Sequence, residues 1–132
     1  MGRTILVIED NEQNLYLVTF LLETHGHRIV PARDGREGIE LAARVHPELI
    51  LLDIQLPGLD GYGVAKALRE NPALEGVPIV AVTSYAMPGD RERVMAAGCN
   101  GYIEKPINPD TFLADVEQFL PVLPGQEIEG SR

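Results

Sequence analysis

The sequence has few of the features that mark secreted, membrane-spanning or disulfide-stabilised proteins. Its one cysteine, Cys99, has no second cysteine with which to form an intrachain disulfide, and we expect it to be a small buried residue. No apolar run approaches the roughly 20 residues that cross a membrane, and residues 1–10 reach acidic side chains too early for a signal peptide. These absences predict a cytoplasmic protein.

Basic residues are also scarce, and this limits the partners that the protein can bind. The 11 lysine and arginine residues are outnumbered by 20 aspartate and glutamate residues, which gives a net charge of -9. Such a charge disfavours sequence-independent binding to nucleic acid phosphates or to an anionic membrane. We therefore expect protein or cation partners, with no direct DNA binding and no membrane binding.

Several catalytic motifs are missing as well. No glycine-rich phosphate loop follows the first apolar run, and the sequence contains no GxSxG elbow. His25, His27 and His46 lack the spacing of metal ligands, and we expect each to be an ordinary loop or helix-end residue. Catalysis, if present, must therefore rest on other residues.

Short apolar runs alternate with longer amphipathic stretches, which is the pattern of strands alternating with helices in a single domain. The predicted strands are residues 5–8, 28–32, 49–53, 78–82 and 101–104. The predicted helices are residues 12–24, 35–45 (opened by the capping-box pair Asp34 and Glu37), 62–70 and about 89–97, followed by a fifth with Asn108 as its N-cap. Because parallel crossovers are right-handed, this repeat predicts an α/β fold with a doubly wound five-stranded parallel sheet. Residues 1–121 would form this domain, and residues 122–132 would be a disordered tail.

Polar side chains stand at the carboxyl ends of four predicted strands, and these ends meet at one edge of a parallel sheet. They are Glu9, Asp10, Asp53, Thr83, Ser84 and Lys105. Three crowded carboxylates repel one another unless a cation is present, and Mg²⁺ prefers such oxygen ligands. A lysine and a threonine opposite them can hold the oxygens of a phosphoryl group. The pattern predicts phosphoryl transfer with Asp53 as the nucleophile.

The residues alone leave other functions open. An isolated aspartate at a strand end is often purely structural. A phosphatase with an aspartyl-phosphate intermediate would need a second aspartate two residues after the nucleophile, where this sequence has Gln55. A flavodoxin-like cofactor binder would need a phosphate-cradling loop in place of the acidic residues 9–14. A phosphorylation-independent adaptor would have no need to keep the polar strand ends.

Four short motifs resemble those of one known family. They are VIEDN at 7–11, LLDIQLPGLDG at 51–61, VAVTS at 80–84 and YIEKP at 102–106. On these motifs the sequence resembles the response-regulator receiver domains of two-component signalling, and it is most similar to single-domain, cell-cycle-type regulators. The resemblance implies a flavodoxin-like sheet of order 2-1-3-4-5. It also implies a signalling phosphoacceptor that catalyses only its own phosphoryl transfer and dephosphorylation. A receiver domain from a hybrid histidine kinase or a longer regulator is the alternative.

The resemblance implies a role for each residue of the acidic group. Asp53 would accept the phosphoryl group from a histidine kinase or a histidine phosphotransferase. Asp10 would bind Mg²⁺ directly, Glu9 would act mainly through water, and the backbone carbonyl of Gln55 would be a further ligand. Gln55 and Tyr85 would also tune how water reaches the phosphoryl group.

The resemblance implies a switch as well. Thr83 and Lys105 would bind phosphoryl oxygens. Tyr102 matches a switch aromatic that moves inward when Thr83 is drawn to the phosphoryl group, which would change the contacts with a downstream target protein. The family's Lys-Pro peptide bond is commonly cis, so we expect a cis bond between Lys105 and Pro106.

The first predicted helix has apolar side chains on two sides. Four of them would face the sheet, namely Leu15, Val18, Leu21 and Leu22. Tyr16, Leu17 and Phe20 would point the other way, where a solvated face should be more polar. We hypothesise that these three residues dock the histidine protein that donates the phosphoryl group. Cover by the fifth helix or a homodimer contact would explain the same pattern.

Overall fold

A computed structural model describes residues 2–56, 60–84 and 88–120 of the 132-residue chain. Within these residues the strands are β1 (Thr4–Ile8), β2 (Arg28–Ala32), β3 (Leu49–Asp53), β4 (Ile79–Thr83) and β5 (Gly101–Glu104). The α-helices are α1 (Glu12–Glu23), α2 (Gly35–Val45), α3 (Gly61–Arg69), α4 (Pro88–Ala96) and α5 (Phe112–Glu117), and a short 3₁₀ helix spans Pro72–Leu74. None of these helices is long and apolar enough to span a membrane.

The five strands form one parallel sheet in the order β2-β1-β3-β4-β5. This confirms the doubly wound α/β fold and the order 2-1-3-4-5 that were predicted. The predicted strand and helix bounds agree with the structure to within one residue, apart from the start of the fifth helix.

Each face of the sheet is covered by helices, which explains the unbroken apolar run before Asp53. Along β3, Leu49 and Leu51 pack into a core with residues of α1 and α5, whereas Ile50 and Leu52 pack into a core with residues of α2, α3 and α4. A central strand buried on both faces needs apolar side chains at every position. Asp53, the last residue of β3, is therefore a carboxylate at the end of a fully buried strand.

Side-chain caps stabilise the starts of α1, α2 and α3. The Asn11 side chain accepts a hydrogen bond from the backbone N–H of Asn14 at 2.9 Å, and Asp34 Oδ1 accepts one from the N–H of Glu37 at 2.8 Å. The second cap differs slightly from the predicted capping box. Glu37 Oε1 accepts from the backbone N–H of Arg33, one residue before the position that a regular capping box would use.

The predicted start of the fifth helix is wrong. Helix α5 begins at Phe112, and Asn108 instead opens a turn, because its side chain accepts from the N–H of Asp110 and its carbonyl accepts from the N–H groups of Thr111 and Phe112. Asparagine followed by proline favours turns as well as helix starts. Phe112 and Val116 of α5 are fully buried and pack into the core beneath the sheet.

Two histidines tie the end of α5 to the segment between α1 and β2. His27 is buried, its Nδ1 accepts from the backbone N–H of Arg3, and its Nε2 therefore donates to Glu117 Oε2 at 2.8 Å. His25 Nδ1 lies 2.8 Å from the same oxygen. Partial burial of the Glu117 carboxyl works to raise its pKa, but the hydrogen bonds and charges of the two histidines outweigh this and lower the pKa. These histidines are structural, in line with the prediction that they carry no chemistry.

Arg69, the last residue of α3, makes four hydrogen bonds to segments that lead into β4 and β5. Its guanidinium donates to the backbone carbonyls of Gly98, Leu74 and Val77 at 2.9, 3.0 and 2.7 Å. A fourth bond reaches Oδ1 of Asn100 at 2.7 Å. A planar guanidinium with five donors can make four such bonds at once, whereas an ammonium has only three donors.

Replacing Arg69 with methionine is expected to lower the free energy of unfolding by about 3 kcal/mol, because several part-buried carbonyls lose a charged donor. Arg69→Lys should recover only part of this loss, and Lys66→Met, at an exposed position of the same helix, should change stability by less than about 0.5 kcal/mol. Urea denaturation measures all three variants. An Arg69→Met protein as stable as the Lys66→Met control would show that the four bonds contribute nothing.

Candidate functional site

The sheet brings the predicted polar residues to one edge. Glu9 and Asp10 directly follow β1, Asp53 ends β3, and Lys105 directly follows β5. Because the strands are parallel, their carboxyl ends lie side by side. These residues line an open cleft of about 490 Å³.

Three carboxylates converge in this cleft. Oxygens of Glu9, Asp10 and Asp53 all lie within 4.8 Å of one another. Glu9 and Asp53 are only 4% and 3% exposed, whereas Asp10 is exposed. Hard oxygen ligands with one solvent-accessible side fit a Mg²⁺ ion that keeps some of its waters. The donor set therefore suits the predicted metal.

The pKa of Glu9 reflects both its burial and the negative charge beside it in the cleft. Burial raises the pKa of Glu9, and a hydrogen bond to Asp53 and the charge of Asp53 raise it further. The N–H of Asn11, which donates to Glu9 Oε2 at 3.1 Å, and the charge of Lys105 act in the opposite direction. The net result is a pKa of about 7. Burial and the neighbouring Asp53 thus favour the protonated form of Glu9.

Lys105 supplies a positive charge to the same group. Its Nζ lies 3.3 Å from Asp53 Oδ1 and 3.5 Å from Glu9 Oε1. Its backbone N–H donates to the carbonyl of Thr83 at 2.8 Å, which fixes the end of β5 against the end of β4. The peptide bond between Lys105 and Pro106 is cis.

Thr83 and Tyr102 are not among the residues that line the acidic cleft. Thr83 is fully buried as the last residue of β4, and the residue that reaches the cleft beside it is Ser84. Tyr102 is half-buried and borders a separate cavity with Asn108 and Phe112, and the guanidinium of Arg91 lies 5.7 Å from its ring centroid. The structure thus places Tyr102 outside the acidic cleft.

Gln55 makes contacts that the sequence did not reveal. Its backbone N–H donates to Asp53 Oδ1 at 2.9 Å. Its side-chain Oε1 accepts from both the N–H and the hydroxyl of Ser84, at 2.9 and 2.7 Å. A long amide two residues after Asp53 was the available signal, but spacing alone does not predict the direction of such a side chain. Tyr85, predicted to act with Gln55, lies outside the described residues.

The outer side of α1 is less apolar than predicted, because Leu17 is half-buried and packs against the core. Tyr16 and Phe20 are 74% and 55% exposed, and their rings stack with centroids 6.5 Å apart. We call these two residues the aromatic ridge. Their exposure means that α5, as described here, does not cover them.

Comparisons with known proteins agree on one kind of protein. The family described as response regulator receiver domain matches residues 5–117. The polar-differentiation response regulator DivK of Brucella ovis is 41% identical over 120 residues, which cover 91% of this chain and 98% of that protein.

Two solved structures extend the likeness. The receiver domain of a sensor histidine kinase of Pseudomonas aeruginosa, with a magnesium ion coordinated in its active site cleft, is 34% identical with a TM-score of 0.82, over 90% of this chain and 98% of that one. The chemotaxis response regulator CheY4 of Vibrio cholerae is 27% identical with a TM-score of 0.87, over 91% of this chain and 100% of that one.

Proposed function

Because this chain belongs to the response regulator receiver domain family, we propose that it accepts a phosphoryl group from a phosphohistidine protein onto Asp53. The observation that carries the proposal is the Asp53 carboxylate itself. It is buried at the end of β3, 3.3 Å from Lys105 Nζ and within 4.8 Å of two further carboxylates. The reaction would take place in the cytoplasm and would require Mg²⁺.

Asp53, Lys105 and Thr83 each act in this reaction. An Asp53 carboxylate oxygen attacks the phosphorus, the P–N bond of the phosphohistidine breaks, and its electron pair leaves with the imidazole. Lys105 and the Thr83 hydroxyl hold phosphoryl oxygens. Water later attacks the phosphorus of the acyl phosphate, which releases inorganic phosphate and restores the Asp53 carboxylate.

Asp10, Glu9 (through water), Asp53 and the carbonyl of Gln55 would hold Mg²⁺. When bound, the ion neutralises part of the charge that the acidic cleft and the phosphoryl oxygens share. The raised pKa of Glu9 supports this assignment, because its causes after burial are the hydrogen bond and the charge of Asp53, which the charge of Lys105 opposes only in part.

The output would be a change in protein contacts. Engagement of Thr83 by the phosphoryl group would shift the population of the segment around Thr83, Tyr102 and α4, so that a different partner binds. We propose that residues 1–121 carry this whole function, with 122–132, outside the described residues, as a tail.

Incubation with acetyl phosphate and Mg²⁺ tests the proposal. We expect a mass increase of one phosphoryl group that hydroxylamine removes, that requires Mg²⁺, and that peptide mapping after borohydride reduction assigns to Asp53. A stable label on serine, threonine or histidine, or labelling that persists with excess chelator, would contradict the proposal.

We also propose that the aromatic ridge contacts the phosphohistidine protein, since it is exposed on the helix that follows Glu9 and Asp10. Tyr16→Gln with Phe20→Gln should slow transfer from a histidine phosphotransferase about tenfold, the effect of losing a small apolar hot spot. Uptake from acetyl phosphate should not change. Met95→Gln, at an exposed apolar position on α4, is the matched control. Equal transfer rates for the ridge variant and the control would exclude the ridge as the docking site.

A further inference from the structure

The carboxamide of Gln55 occupies two hydrogen-bond donors at the end of β4. Its Oε1 accepts from the Ser84 N–H at 2.9 Å and from the Ser84 hydroxyl at 2.7 Å. Gln55 follows β3 and Ser84 follows β4, so this contact joins two adjacent strand ends across the mouth of the cleft. Both residues line that cleft together with Asp53 and Lys105.

The position of these donors matters once a phosphoryl group is attached to Asp53. The group adds oxygens that need donors, and it would sit between the ends of β3 and β4. Ser84 directly follows Thr83, whose hydroxyl is proposed to hold one phosphoryl oxygen. The N–H and hydroxyl of Ser84 are the next donors along the same segment, and an oxygen of Gln55 already holds both.

From this contact we propose that Gln55 is a built-in competitor of the phosphoryl group for the donors of Ser84. In the unphosphorylated protein the carboxamide oxygen takes the place of a phosphoryl oxygen. Phosphorylation of Asp53 exchanges this neutral acceptor for a charged one, which forms the stronger hydrogen bonds. The exchange frees the Gln55 side chain and weakens the connection between the β3 and β4 ends. Gln55 is thus a positioning residue that sets how easily the switch segment is drawn to the phosphoryl group.

The inference rests on the proposed phosphorylation of Asp53, and beryllofluoride with Mg²⁺ is a probe that tests the two separately. Beryllofluoride bonds to a carboxylate oxygen in the manner of a phosphoryl group. Its affinity for the full chain can be measured by titration, and the Ser84 amide can be followed by NMR.

Gln55→Met removes the competing oxygen at similar side-chain length and leaves the backbone carbonyl in place. We expect it to bind beryllofluoride about fivefold more tightly, the effect of one net hydrogen bond of competition. Its Ser84 amide should exchange faster with solvent before beryllofluoride is added. Gln55→Glu retains an acceptor oxygen and should bind no more tightly than the wild type.

A double-mutant cycle separates competition from a general structural effect. In a Ser84→Ala background the hydroxyl is gone and only the N–H remains as a donor. The gain in beryllofluoride affinity from Gln55→Met should therefore fall from about fivefold to about twofold. An undiminished gain in that background, or equal or weaker binding by Gln55→Met, would overturn the inference while leaving the role of Asp53 intact. Beryllofluoride binding that survives Asp53→Asn unchanged would overturn the proposed function, and the inference with it.

Discussion

An Asp53→Asn protein is expected to remain folded and to take up no phosphoryl group, either from acetyl phosphate or from a phosphohistidine protein. The carboxamide has nearly the shape of the carboxylate, and its oxygen can still accept the bond from the Gln55 N–H, which measures 2.9 Å in the wild type. It is not a nucleophile toward phosphorus, however, so the reaction loses its acceptor. Phosphoryl labelling, with the wild type as reference, tests the loss of uptake. Thermal unfolding of both proteins tests whether the variant remains folded.

The same variant has a second, independent effect on Glu9. After burial, the next two causes that raise the pKa of Glu9 are a hydrogen bond to Asp53 and the charge of Asp53. Asp53→Asn removes the charge and leaves the burial, so the pKa of Glu9 should fall from about 7 toward its ordinary value of 4.5. Carboxyl NMR titration of Glu9 reports the shift. A pKa of Glu9 that stays at about 7 in the variant would mean that burial alone sets it, and that the two carboxylates do not share their charge.

Much of the fold followed from two simple patterns in the sequence. The uninterrupted apolar residues before Asp53 are typical of a strand covered on both faces, as β3 is. Parallel strands bring their carboxyl ends to one edge, so the sequence alone predicts that Glu9, Asp53 and Lys105 lie together. The structure shows Lys105 Nζ within 3.5 Å of both carboxylates.

The differences arose where a side chain had several partners of similar energy. Asn108 can cap a helix or close a turn with the same oxygen, and the turn is what forms. Leu17 falls on the outer side of α1 by helical period, yet a leucine is long enough to reach back to the core. Arg69 and Gln55 make their bonds to residues far away in sequence, with Arg69 reaching Gly98 and Gln55 reaching Ser84. No local pattern encodes such contacts, because they depend on how neighbouring strand ends are spaced.

Glu9→Gln is expected to weaken Mg²⁺ binding at least tenfold at about pH 8 and, in the absence of metal, to stabilise the protein. The loss of affinity follows from the removal of one of three negative charges within 4.8 Å of one another. In the wild type, Mg²⁺ must displace a proton from Glu9 below a pH of about 7, so its affinity should rise with pH through this range. In the variant this part of the pH dependence should be absent. Calorimetric titration at several pH values measures both effects.

The gain in stability has a defined sign and pH range. The pKa of Glu9 is raised from 4.5 in the unfolded chain to about 7 in the folded one, so the folded state binds more protons between these values. The free energy of unfolding of the metal-free wild type should therefore fall as the pH rises from about 4.5 to about 7. Glu9→Gln removes this penalty, so the free energy of unfolding of the variant should match that of the wild type at about pH 4 and exceed it by about 3 kcal/mol at about pH 8. Urea denaturation with excess chelator tests this, with Glu40→Gln, at an exposed position of α2, as the control. If the free energies of unfolding of the wild type and Glu9→Gln differ by the same amount at every pH, the pKa of Glu9 is not raised by folding. The charge in the cleft would then be balanced without a metal.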